Sequence, residues 1–461
     1  MDILLTHGYF IKDDPHEQAV MKPYPPLGIL YLSSYLKAAG FDVGVFDSTF
    51  QEPEAFRRVL ERQSPHVVGI YANLITRGTV VRMARLAREL GCIVVVGGPE
   101  PANYPDEYLA RGAHVVVAGE GEQTLEELLP HLSRHGPGHL EDIRGIVYRR
   151  EDGQVERTEP RPFIPDLDGL PFPDRDAIDV AEYTRLWRER HGQSSLSLIT
   201  ARGCPYTCAW CSHAVFGSSH RRRSPRSVAD EVALILDRYR PDMLWYADDV
   251  FTISHQWLAL YAQELAQRGI QIPFETISRE DRLDEKSIRT LAEMGCFRLW
   301  VGAESGSQRL LDRMERRTDA RRVPEVVHLL QRHGIEAGLF IMLGYDGEEM
   351  ADLDATVRML QDAAPDHFLT ALAYPVKGTP YYEQARDRIV PLESWERGSD
   401  RDLMVAGRRS RRFYRFATRW MVNRVTRHGS ARRGPAGRLK ARLNAGLGRI
   451  GMWATQREVE R

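Results

Sequence analysis

Two successive series of short apolar runs, separated by stretches of helical period, constrain this chain more than any other feature. In the first series Ile3–Thr6, Val43–Asp47, Val67–Ala72, Ile93–Gly97 and Val115–Ala118 read as strands. Leu27–Ala39, Pro53–Gln63, Thr79–Leu90 and Glu122–Ser133 read as the helices that go with them. Runs such as IVVVGG and HVVVAG are apolar at every position, which suits a parallel sheet covered on both faces. Five such units predict an α/β, doubly wound, Rossmann-like domain over residues 1–140, with its ligand at the carboxyl ends of the strands.

A hairpin follows (Ile146–Arg149 and Val155–Arg157), then the segment EPRPFIPDLDGLPFPDRDAID, whose prolines suit neither helix nor central strand. Residues 141–190 are therefore read as hairpin and linker. The alternation restarts with Leu196–Thr200, Met243–Tyr246, Ile272–Ile277, Arg298–Val301, Ala337–Met342 and Phe368–Tyr374 as strands. Helical patterns over Ser227–Tyr239, Gln256–Arg268, Glu285–Met294, Arg322–His333 and Glu349–Asp362 separate them. Residues 191–395 thus predict a partial (βα)6 barrel of TIM type, with chemistry on the loops after the strands. A second doubly wound sheet is the alternative.

Three of the chain's five cysteines, Cys204, Cys208 and Cys211, are spaced C-x3-C-x2-C directly after the first strand of the second series. Clustered thiolates select zinc or iron–sulfur. Structural zinc takes four protein ligands, and His213 could supply the fourth, so a zinc-stapled binding protein competes with an iron–sulfur enzyme. Five cysteines are too few for a disulfide scaffold of this size. The start lacks a basic segment followed by an apolar one, and no apolar run has the length of a membrane span. The expected location is the cytoplasm.

The cysteine spacing, with Trp210 as the aromatic before the last thiol, resembles the radical S-adenosylmethionine (SAM) superfamily. That resemblance implies a 4Fe–4S cluster held by the three cysteines. SAM would chelate the open iron and be cleaved to a 5′-deoxyadenosyl radical, with electrons from a flavodoxin or ferredoxin. It also implies SAM contacts in chain order. Asp248 and Asp249 of YADDVFT stand at the amino-group position, where an acidic pair replaces the common Gly-Gly-Glu. A helix N-cap is their plainer role. Arg279 would face the SAM carboxylate, or else form a surface ion pair. Glu304 and Ser305 of VGAESGS would meet ribose and methionine, or Glu304 would be a structural carboxylate. Gly344 of LGYDGE would pass close to adenine.

The first domain resembles the cobalamin-binding domain of one branch of that superfamily, through YPPLGILYLSSYLKAAGFDV, NLIT, GGPEP and GEGE. Gly97, Gly98 and Pro99, with Gly119 and Gly121, would form one face of the cobalamin site. The segment Asp14-Pro-His16-Glu-Gln-Ala19 approaches the D-x-H-x-x-G signature of a cobalt-ligating histidine, but Ala19 breaks it, and His16 reads as a loop residue. Cys92 and Cys296 read as core thiols. Members of this branch methylate unactivated carbons or, like the anaerobic magnesium-protoporphyrin ester cyclases, close or rearrange rings. The expected substrate is a small molecule, lipid or natural product, and catalytic residues beyond the cofactor set are not identified.

The net charge of −1 hides an asymmetry: residues 403–461 hold 16 Lys+Arg against two Asp+Glu, which leaves residues 1–402 at −15. So acidic a body argues against a nucleic-acid binder. Residues 396–461 read as a basic, helical extension. Within it Phe413, Phe416, Ala417, Trp420 and Met421 share one helical face, suited to docking on the body, to an anionic substrate or to an anionic membrane.

Overall fold

The computed structural model describes residues 1–429 and 435–461. Its first sheet has seven strands: β1 (Ile3–His7), β2 (Val43–Phe46), β3 (Val67–Tyr71), β4 (Ile93–Gly97), β5 (Val115–Val117), β6 (Ile146–Arg149) and β7 (Val155–Arg157). They stand in the order β2-β1-β3-β4-β5-β6-β7. The first five run parallel, and the β6–β7 hairpin continues the sheet antiparallel from β5. Alternate residues of these all-apolar strands enter two separate cores. Leu4, Val68, Val94, Val96 and Val116 pack with Phe56, Val80 and Tyr108 on one face. Ile3, Leu5, Val67, Val95 and Val115 pack with Ile29, Leu125 and Leu128 on the other. Helices therefore cover both faces, as in a doubly wound domain whose chain direction reverses between β1 and β3.

The second sheet contains β8 (Ser195–Leu198), followed by a short antiparallel pair, β9 (Ala201–Arg202) with β10 (Arg221–Arg222), that stands apart from it. It continues with β11 (Met243–Tyr246), β12 (Phe274–Ser278), β13 (Cys296–Glu304), β14 (Glu336–Leu343) and β15 (His367–Leu372). The order is β15-β14-β13-β12-β11-β8, sequence order throughout, and β12 to β15 pair in parallel. This is the βα succession of a partial six-stranded barrel.

The chain divides into two compact units, residues 1–205 with 212–245 and 394–399, and residues 206–211 with 246–393 and 400–461. In the first unit the Pro-rich segment carries no strand, but it leads into a helix, Val180–His191, that the proline argument does not anticipate. Asp179 caps that helix, and its buried Trp187 donates to the Pro23 carbonyl at 2.7 Å. The returning segment Ser394–Ser399 lies against the first sheet's helices. There Trp395 covers the guanidinium of Arg77 at 4.6 Å, while Arg77 pairs with Glu100 at 2.5 Å, both fully buried.

In the second unit the chain ends in two helices, Arg411–Gly429 and Pro435–Thr455, packed on each other. Phe413, Ala417, Trp420 and Met421 are all buried. Of the three roles open to that face, the structure shows docking on the unit.

Candidate functional site

The cysteine loop is held at its backbone. Ala209, fully buried, donates its N–H to the Met314 carbonyl at 3.0 Å and accepts from the Tyr381 N–H at 2.8 Å. Trp210 leans on the apolar cluster of Leu310, Met314, Tyr345 and Tyr381. Cys208 and Cys211, on either side of this anchor, differ in exposure: Cys208 is buried and Cys211 is exposed. In the first unit Cys204 is half-buried and follows Gly203, beside the short β9–β10 pair.

Cys208 lies among buried charges supplied by the segment after β12 and by the loop after the helix Gln308–Arg313. Nη1 of Arg279 points at its sulfur from 3.7 Å and Nη1 of Arg316 from 3.9 Å. Arg279 is only 3% exposed, which removes the surface ion-pair alternative. Its guanidinium stacks on the Tyr206 ring at 3.8 Å and binds Asp281 and the Arg316 carbonyl at 2.8 and 3.0 Å. Arg316 pairs with the fully buried Glu280 at 3.2 Å. Oε1 of Glu280 and Nε of Arg316 nonetheless have no hydrogen-bond partner, so polar capacity is left over beside the thiol, and such atoms are costly to bury unmet.

These features fit the implied cluster. A metal-ligating thiol binds as thiolate, and three thiolates on iron bring negative charge that two buried guanidiniums offset. In the cluster that the resemblance implies, each cysteine takes its own iron, so the thiols need not converge on one point. Among the described residues no three His, Cys, Asp or Glu side chains are grouped to hold a single metal ion. His213, the fourth ligand that a zinc staple would need, engages Nδ1 with the Gly217 carbonyl at 3.1 Å, and its buried Nε2 has no hydrogen-bond partner.

Asp248 is buried and Asp249 exposed, just after β11. Neither caps the next helix, because Ser254 accepts from the Trp257 N–H. Glu304 ends β13 in a left-handed conformation, φ 60°, where the register with β14 slips. That backbone is uncommon outside glycine and marks a strained site. Burial pushes its carboxyl up to about 7, against the pull of Arg316 and with the push of Glu280. Ser305 is turned inward: its hydroxyl lies 3.1 Å from that of Thr356 and accepts from the Ser307 N–H. Gly344 donates its N–H to Glu348 at 2.8 Å, and burial pushes that carboxyl up to about 8.

At the carboxyl edge of the first sheet, Gly97 ends β4 and Gly98 follows it. A Cβ on Gly98 (φ 111°) would collide with the Ala72 carbonyl, so local crowding alone demands glycine there. Gly119 (φ 108°) is different, since nothing lies closer than 3.9 Å to the Cβ it lacks, and its positive φ rather than crowding favours glycine. Between Gly119 and Gly121, Glu120 binds Arg202 at 2.7 Å and Arg221 at 2.8 Å, and Glu122 binds Arg202 at 2.6 Å. The GEGE segment is thus anchored to the β9–β10 pair. His16 is exposed on a short helix, Pro15–Val20, whose cap is Asp14, rather than on a loop. Sequence reasoning missed His7 at the end of β1: its Nε2 meets Asp47 at 2.9 Å, and Asp47 in turn accepts from Tyr183 at 2.8 Å. A histidine closing a strand that begins with three apolar residues was the only signal.

Residues 19–129 match the B12 binding domain family and residues 198–360 the Radical SAM superfamily. An uncharacterized methyltransferase of Pyrococcus horikoshii is 28% identical over 78% of this chain and 78% of its own length. The anaerobic magnesium-protoporphyrin IX monomethyl ester cyclase of Rubrivivax gelatinosus is 25% identical over 94% of this chain and 82% of its own length. The radical SAM methyltransferase TsrM of Kitasatospora setae, solved with cobalamin and a [4Fe-4S] cluster, superposes with a TM-score of 0.70 at 20% identity, over 84% of this chain and 74% of that one. This chain thus joins a domain of the B12-binding family to a domain of the radical SAM superfamily.

Proposed function

We propose that the protein is a C-methyltransferase, acting on an unactivated carbon of a small molecule, lipid or natural product. The observation that carries this reading is a B12-binding domain in one chain with a cysteine loop whose Cys208 lies between two buried arginines. When bound, the 4Fe–4S cluster, SAM and cobalamin supply radical formation and methyl transfer. The chain's own residues ligate, orient and exclude water. Cys204, Cys208 and Cys211 are the iron ligands. Arg279 and Arg316 offset thiolate charge at Cys208, and Trp210 closes the apolar side of the loop. Asp248, Asp249, Glu304 and Gly344 contact SAM. Ser305 contributes through its backbone, since its hydroxyl is engaged. Gly97, Gly98, Pro99, Gly119 and Gly121 face cobalamin.

In this reading residues 1–140 bind cobalamin, 141–190 link, 191–395 form the radical SAM domain and 396–461 extend it. Electrons come from a flavodoxin or ferredoxin in the cytoplasm, and the basic extension touches a membrane. No helix among the described residues is long and apolar enough to cross one. Oxidative cyclisation is the second reading, favoured by the cyclase relative that aligns over 94% of the chain. Anaerobic turnover of the reconstituted protein separates the two: 5′-deoxyadenosine together with a product heavier by a methyl group is expected. Deoxyadenosine with an unmethylated, cyclised product overturns methyl transfer.

A further inference from the structure

The helix Pro435–Thr455 has two apolar faces. One, with Ala441, Ala445 and Met452, is buried. Its Gly448 and Gly451 let it approach Trp420 and Phe416 of the neighbouring helix. On the opposite face Leu439, Leu443, Leu447, Ile450 and Trp453 stand 58, 61, 51, 64 and 72% exposed. Steps of four, four, three and three residues put all five in one stripe, about 21 Å long. Single exposed apolar residues, such as Ile75 or Leu260 elsewhere, need no explanation. A continuous stripe marks a contact surface.

Its flanks are basic. Arg438, Arg442 and Arg449 line one side and Lys440 the other, all exposed, and this helix contains no acidic residue. The neighbouring helix adds the exposed Arg412, Arg415 and Arg419. Both acids of residues 403–461 are engaged close by, Glu460 with Arg408 and Glu458 with Arg412 and Ser410. Arg449 reaches Asp354 at 3.4 Å, so with Arg412 held by Glu458 the positive charge beside the stripe rests on Arg438, Lys440, Arg442, Arg415 and Arg419.

We propose that this face docks on an anionic phospholipid bilayer, the helix lying in the interface with its Leu and Ile side chains at the acyl boundary and Trp453 at headgroup level. Membrane contact thus moves from the 413–421 face, which is buried, to the outer face of the next helix. A second copy of the chain fits the same stripe poorly, because a symmetric pairing sets arginine rows against each other with no acid between them. The inference is independent of which reaction the enzyme performs.

The full chain, incubated with phosphatidylcholine vesicles or with equal parts of phosphatidylcholine and phosphatidylglycerol, is expected to sediment only with the anionic ones. Raising the salt should release it. Leu443→Glu with Ile450→Glu should weaken binding about tenfold or more, while melting temperature and iron and cobalamin content stay at wild-type values. Arg438→Ser should weaken it about fivefold. The proposal is overturned if wild type ignores anionic vesicles, or if the double glutamate variant binds them equally well. It is also overturned, in favour of self-association, if wild type sediments as a dimer that the double variant dissolves.

Discussion

Glu304 has its proton affinity raised by the burial that places it beside Arg316 and Glu280, and this has a consequence for stability. Unfolded, it titrates at its ordinary 4.5; folded without cofactors, at about 7. The folded state therefore holds an extra proton between those values. The associated stability is complete below the lower one and is lost as pH rises through the upper. Glu304→Gln carries no such penalty. In urea unfolding of the apoprotein it should exceed wild type by up to about 3 kcal/mol at pH 8 and match it near pH 4. Parallel stability curves would mean the carboxylate is solvated. Cys208, Asp248 and Glu304 could be singled out in the sequence because each lies in a short motif after an apolar run, where the resemblance expects a site residue. The arginine at 316 was not, because it acts from a loop beyond a further helix, Gln308–Arg313, and no local period points there.

Among elements, the strands were the easiest to read: β4, β11 and the antiparallel β6–β7 hairpin fall on the expected residues, and the other barrel strands differ by a few at their ends. An unbroken apolar run bounded by turn residues marks where such a strand lies, while its register is left to the neighbouring turns and helices. The helix Val180–His191 escaped because the prolines before it end at Pro173, and its own signal is one cap and one tryptophan. Helix Pro435–Thr455 lies within the extension read as helical, although its bounds were not legible because four glycines interrupt its pattern. In the structure Gly448 and Gly451 are the points of closest approach between the last two helices. A Cβ on Gly448 would lie 2.8 Å from Trp420, and one on Gly451 would strike the Phe416 ring. Gly451→Leu should accordingly cost about 1–3 kcal/mol by overpacking. It should open residues 411–455 to trypsin while the rest of the cleavage map is unchanged. An identical map would show that the two helices part without penalty.

For the whole molecule, the charge division follows the fold less simply than the composition suggests. The basic extension is not an appendage that can be cut away. Glu460 returns to accept from Arg408 at 2.9 Å and from the Val405 N–H at 2.7 Å, all in the buried interior of the second unit. Glu460→Gln leaves Arg408 buried without its counter-charge and should destabilise that unit by about 3–5 kcal/mol, read as a lowered denaturant midpoint. A midpoint equal to wild type would place Arg408 in water. The first unit also closes late. Trp395, which roofs the buried Arg77–Glu100 pair, lies 318 residues beyond Arg77 in the chain. At a translation rate of about 5–20 residues per second, that roof leaves the ribosome roughly 15–60 s after the arginine it covers. During this interval the nascent B12-binding domain presents an open, charged seam and an unfilled place for an indole, so chaperones have time to act before the domain is sealed.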